Sequence, residues 1–148
     1  MGIINIVQNI KETQKEYIVL IRTENFYNCY GRDSYIVSYL FGYKINIVQN
    51  GIYISAFPKS AYNKVISKLE EKKINYLILD RRNNYEIEEK SNNKNLNKYQ
   101  DYYEKAKKEI ATKMRIEKIY NYLIDTKDKE IISEIEKVVN ERRKIQSN

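Results

Sequence analysis

Phe26 and Tyr27 stand side by side in a segment that also carries Tyr30, Tyr35, Tyr39 and Tyr43, with Arg22, Arg32, Lys44 and Lys59 interleaved around them. Aromatic rings stack on bases, and guanidinium and ammonium groups hold phosphates, so this mixture suits nucleic-acid contact. Plain packing is the competing reading. An aromatic pair just past a strand usually belongs to a core, and tyrosine is frequent everywhere, 15 of 148 residues, as an AT-biased codon pool would make it. Arg81-Arg82 at a strand end also suits phosphate, although a solvated turn is the simpler account. Arg142-Arg143-Lys144 reads most simply as a cationic helix end that complements the helix dipole.

Other chemistries lack their residues. Histidine is absent and cysteine occurs once, at Cys29. The commonest general base and transition-metal ligand are therefore missing, no disulfide forms within the chain, and no histidine is present to activate the lone thiol. The four glycines, Gly2, Gly31, Gly42 and Gly51, include none that precedes a Lys-Ser/Thr pair, so there is no phosphate loop and ATP hydrolysis is excluded. Asp80, Glu86, Glu88 and Glu89 are carboxylates without a spacing that specifies a substrate. The expectation is a non-enzymatic protein with no catalytic residue, metal or cofactor.

The chain is long enough for one compact domain with a helical appendage. Its net charge of +7 is unevenly spread, with 12 basic against 10 acidic residues up to Glu89 and 15 against 10 from Lys90 onward. A basic surface favours phosphate backbones or acidic partners. No stretch approaches the roughly 18 uninterrupted apolar residues of a membrane span, and no secretory leader pattern opens the chain, so a cytoplasmic protein is expected.

The elements that must position these side chains follow from periodicity. Residues 17–22 form a β-rich run that reads as a buried strand. A loop then leads to Asp33, which can cap a helix whose Ile36, Val37, Leu40 and Phe41 recur at helical spacing and which Gly42 ends. Tyr43, Ile45 and Ile47 alternate with Lys44 and Asn46, and Gln49-Asn50-Gly51 joins that run to residues 52–57. Asn-Gly between β-rich runs signals a hairpin because both turn positions need positive φ. After Pro58, Ala61, Val65, Ile66 and Leu69 form a helical stripe whose end is rich in lysine, Lys72 and Lys73. Residues 75–80 close the unit as a strand, and residues 81–89 add an edge strand through Tyr85 and Ile87. The fold class is thus α/β (α+β), a mixed sheet with an antiparallel hairpin covered by helices. Residues 91–97 are polar and read as a linker, so the division is 1–90 for this domain and 91–148 for a helical extension of two or three amphipathic helices. Residues 1–16 fit either a short strand or a helix.

Two blocks in this order resemble a known family. Residues 20–33, Leu-Ile-Arg-Thr-Glu-Asn-Phe-Tyr-Asn-Cys-Tyr-Gly-Arg-Asp, and residues 54–69, Ile-Ser-Ala-Phe-Pro-Lys-Ser-Ala-Tyr-Asn-Lys-Val-Ile-Ser-Lys-Leu, are similar to the N-terminal mismatch-recognition domain (domain I) of the DNA mismatch-repair protein MutS. The resemblance spans residues 17–80. In that family the Phe of a Phe-X-Glu motif wedges into the duplex beside a mismatched base, and the Glu hydrogen-bonds the displaced base. The resemblance puts Phe26 at the wedge position, with Tyr27 beside it, and Asn28 at the Glu position, so the carboxylate is replaced by an amide that both donates and accepts. It implies a stand-alone DNA-binding module for mismatched or distorted double-stranded DNA that meets the base with Phe26, Tyr27 and Asn28; the interleaved cations Arg22, Arg32, Lys44 and Lys59 complete the expected contact set. Nothing resembles the ATPase, clamp or dimerising parts of MutS. Asn28 and the amphipathic C-terminal third motivate an alternative, a protein-interaction or oligomerisation module whose C-terminal helices dock a partner or a second copy.

Overall fold

The run Ile18-Val19-Leu20-Ile21 has no polar alternation, and its four side chains are fully buried, as befits a strand covered on both faces. The structure, a computed structural model, describes residues 2–47 and 51–147. Its strands are β1 (Ile18–Arg22), β2 (Phe26–Tyr30), β3 (Ile45–Ile47), β4 (Tyr53–Pro58), β5 (Tyr76–Asp80) and β6 (Glu86–Lys90), in the sheet order β3-β4-β2-β1-β5-β6. Only β1 and β5 pair in parallel; the other neighbours are antiparallel. The helices are α1 (Ile3–Thr13), α2 (Arg32–Phe41), α3 (Tyr62–Glu71), α4 (Tyr99–Thr126) and α5 (Lys129–Ser147). The class is α+β, with a mixed six-stranded sheet, helices and a C-terminal helical region, as the periodicity predicts.

The structure decides one open reading and departs from the sequence reading in two places. Residues 1–16, readable as strand or helix, contain α1, whose Val7 is buried against Val19 and Leu77 on one face of the sheet. Residues 26–30, read as loop, are β2, paired to β1 with Arg22 opposite Tyr27 and to β4 with Phe26 opposite Pro58. Asp33 does not cap α2. That position is held by Gly31, at φ 58°, where a side chain would be strained, and Asp33 turns inward from the first helical turn. Gly42 ends α2 as expected, in the left-handed region, with its N–H donating to the Ser38 carbonyl. The hairpin is present as β3 on β4, Ile45 opposite Ser55 and Ile47 opposite Tyr53. Of its expected turn, residues 49 and 50 lie outside the described residues, and Gly51 has φ 73°.

Two compact units divide the chain, Met1–Ile110 and Ala111–Asn148. The first therefore runs beyond the 1–90 boundary drawn from the polar segment. That segment is bonded to the sheet: the Tyr76 N–H donates to Ser91 Oγ at 2.8 Å, and Asn75 Oδ1 accepts from the Asn93 N–H at 2.8 Å. Tyr99, Ala106 and Ile110 of α4 are buried, and Tyr99 and Ala106 join Leu20, Ile36, Phe57 and Leu69 in the core on the sheet face opposite α1. The second unit has no buried side chain among its described residues.

Asp33, wholly buried, ties the first unit together. Its carboxylate accepts from Lys11 Nζ of α1 at 2.9 Å, from the Val19 N–H of β1 at 3.0 Å and from the Tyr99 hydroxyl of α4. Lys11 Nζ also donates to the carbonyls of Lys15 and Tyr17, so all three ammonium protons are used. Burial raises the Asp33 pKa, and the Lys11, Tyr99 and Val19 contacts oppose it without overcoming it. Removing the carboxylate strands buried donors, so Asp33→Ala is expected to lose about 3 kcal/mol in urea denaturation. The pH sign is opposite to that of an ordinary salt-bridged Asp. With the native pKa raised, the stability Asp33 contributes is present below the unfolded value of about 4 and is lost as pH rises through the native pKa. Wild type should therefore gain on Asp33→Asn as pH falls from about 7 to about 4. A stability difference that shrinks on acidification would contradict this.

Candidate nucleic-acid interface

Thr23, Glu24 and Asn25 connect β1 to β2, and Thr23 closes the turn locally. Its N–H donates to the Phe26 carbonyl at 2.8 Å, its hydroxyl donates to the same oxygen at 2.9 Å, and Thr23 Oγ1 accepts from the Phe26 N–H at 3.2 Å. The Lys59 N–H donates to the Asn25 carbonyl at 3.0 Å, which fixes the turn to the end of β4. Strand alternation puts Phe26, Asn28 and Tyr30 on one face of β2 and Tyr27 and Cys29 on the other. Phe26 stands at the strand's exposed end, 49% accessible.

Sheet order then surrounds this ring with charge. The sequence β4-β2-β1-β5 puts Lys59, which follows β4, on one side of the turn and Arg81, which follows β5, on the other. Three strand spacings separate those positions, about 14 Å. An open cleft of about 410 Å³ is lined by Thr23, Glu24, Asn25, Phe26, Arg81 and Arg82. Arg82 is held by Asp80, whose Oδ1 accepts from its N–H at 2.9 Å and its Nε at 3.3 Å. Burial raises the Asp80 carboxyl and these Arg82 donors outweigh it, so the net direction is down. Lys59 and Arg81 are exposed, and neither side chain has a hydrogen bond or ion pair among the described residues. Glu24 is the one acidic residue lining the cleft.

The remaining residues singled out from sequence are not all at this end. Tyr27 is core, 5% accessible, its ring stacked on Phe57 at 5.3 Å and Tyr62 at 5.0 Å. It is removed from the contact set because alternation turns it away from Phe26. Arg22 is at the correct end but engaged, with Nη1 donating to Glu88 at 2.8 Å and a buried Nε without a partner among the described residues. Asn28 is half-buried on the Phe26 face; burial raises the pKa of its neighbour Tyr30, and a hydrogen bond between them lowers it. Arg32 follows the far end of β2, where it donates to Gln100 at 3.1 Å and lies 4.0 Å over the Tyr103 ring. It holds α4 against α2, away from Phe26. Lys44 is exposed beside the edge strand β3. Arg81 is the residue that the sequence reading undervalued, since only the parallel pairing of β1 with β5 brings it beside the turn.

Fold and site together define an α+β domain that presents an exposed aromatic between cations at one end of a mixed sheet. The family model described as MutS domain I matches residues 1–120, and the chain belongs to that family. At the level of the family it is a MutS-like mismatch-recognition domain. No curated protein matches the chain. No helix among the described residues is long and apolar enough to cross a membrane.

The two neighbouring aromatics should separate in a stability measurement. Tyr27→Ala is expected to lose about 3–5 kcal/mol as a core truncation. Phe26→Ala should stay within about 0.5 kcal/mol of wild type in the same denaturation experiment, as an exposed position. Equal losses would mean that Phe26 is also a packing residue.

Proposed function

We propose that this chain is a non-enzymatic DNA-binding module that meets duplex DNA with the β1–β2 turn end of its sheet and inserts Phe26 at a mismatched or distorted step. The observation that carries this reading is a half-exposed Phe26 ring between two exposed cations, Lys59 and Arg81, whose side chains have no hydrogen bond or ion pair among the described residues. An apolar ring enters a duplex by unstacking a base step, and a mismatch lowers that cost because its stacking and pairing are already weakened. The flanking cations, about 14 Å apart by strand spacing, exceed the roughly 6 Å width of the minor groove and so reach the phosphates on either wall. Asn28, on the same face as Phe26 and two residues along, offers both a donor and an acceptor to a displaced base. Membership of the MutS domain I family supports the same reading.

Fluorescence anisotropy on matched, mismatched and looped duplexes across a salt series tests it. Phe26→Ala should weaken mismatch binding by about 1–3 kcal/mol, the range for an aromatic that stacks on a base. Lys59→Ala and Arg81→Ala should each reduce the salt slope by about one while leaving the mismatch preference in place. Absence of binding at low salt, or an unchanged affinity for Phe26→Ala, would remove the wedge. Asn28→Ala should keep the affinity for matched duplex and lower the ratio of mismatched to matched binding; an unchanged ratio would assign discrimination to Phe26 alone.

A further inference from the structure

The second compact unit, Ala111–Asn148, carries apolar surface that nothing in the unit covers. Ile116, Ile119 and Tyr120 of α4 and Val138 and Ile145 of α5 are each more than half accessible. Where α4 gives way to α5 at Lys127 and Asp128, the helices border a groove of about 540 Å³ lined by Ile119, Tyr122, Leu123, Ile131 and Ile135. Two helices with apolar stripes and no buried residue need a partner surface to be stable.

Charge identifies the partner. On either side of Val138, residues 129–137 of the helix hold three acidic and two basic side chains, whereas residues 139–147 hold one acidic and three basic. The helix α5 is thus acidic in its first half and basic in its second. Two copies of α5 laid parallel would set like charge on like charge, while an antiparallel pair sets each basic half on the partner's acidic half. The stripe on α5 runs Ile131, Ile135, Val138, Arg142, Ile145, at alternating spacings of four and three, the repeat of a coiled-coil seam, interrupted only by Arg142. Turning a second copy about a two-fold axis through Val138 places Ile131 against Ile145 and Glu134 against Arg142. The one charged interruption then meets an opposite charge, Ile131 meets Ile145, Val138 meets its own copy, and Ile135 lies beside the aliphatic part of Glu141.

We propose that the chain forms a two-fold homodimer through α4 and α5, with the α5 helices antiparallel and centred on Val138. A closed two-fold contact uses the same surface on both copies, so one patch suffices. The part of α4 in this unit and α5 are about 24 and 28 Å long and about 10 Å across, a flat footprint of about 500 Å² per copy, at the small end of interface sizes. This goes beyond the DNA reading and does not depend on it.

Sedimentation equilibrium of the full chain should give twice the chain mass at micromolar concentration. Ile145→Glu should give a monomer of unchanged helicity by circular dichroism. Glu134→Arg and Arg142→Glu should each weaken the dimer by about tenfold or more, and the two together in one chain should restore it, since only the antiparallel register pairs these positions. A monomer at all concentrations would overturn the proposal, as it would if the stripe were covered by the chain's own first unit or by a different protein. A dimer that ignores both charge reversals, or that the double reversal fails to restore, would overturn the antiparallel register.

Discussion

A single buried carboxylate organises the first unit. Asp33 accepts hydrogen bonds from α1, from the backbone of β1 and from α4 while belonging to α2, so four elements meet at two oxygens. A buried charge is tolerated only when its hydrogen-bonding capacity is filled, and here each donor comes from a different element. The consequence is positional. Helix α1 is held on one face of the sheet and the start of α4 on the other, both at the end of β2 that leads into α2. At the opposite end of β2, α3 covers one face through Tyr62, stacked on Tyr27, and Phe26 on the other face stays half-exposed.

Much of this was legible in the residues. The unbroken apolar run of β1, the helical spacing of α2 with Gly42 after it, and the Asn-Gly hairpin gave elements that the structure contains, because in each a local signal and the tertiary environment agree. β2 was not legible. Phe-Tyr-Asn-Cys-Tyr places large residues on both faces, so no period of two marks it as a strand, and its pairing depends on β4, which lies far along the chain. Residues 91–97 look like a linker for a related reason: their composition is polar, but the polarity serves the hydrogen bonds of Asn75 and Ser91 at the edge of the core.

The candidate site was legible in part, and the errors share one origin. Once residues 26–30 are read as loop, nothing separates Phe26 from Tyr27. Strand geometry separates them at once, sending one ring to solvent and the other between Phe57 and Tyr62. Arg32 and Arg81 exchange importance for the same reason. Arg32 is near Phe26 in sequence but at the other end of the strand, while Arg81 is distant in sequence and close through the parallel pairing of β1 and β5.

The location of β2 inside the sheet has a mechanical consequence. If Phe26 enters a base step as proposed, the step pushes back on the strand that carries the ring. On an edge strand or a free loop that recoil would be taken up by bending. β2 is bonded on both sides, to β1 and along its whole length to β4, so a load on Phe26 is shared by two ladders and their hydrogen bonds resist together. Under the proposed insertion, the turn behind Phe26 would be a stiff support, and deformation would fall on the duplex.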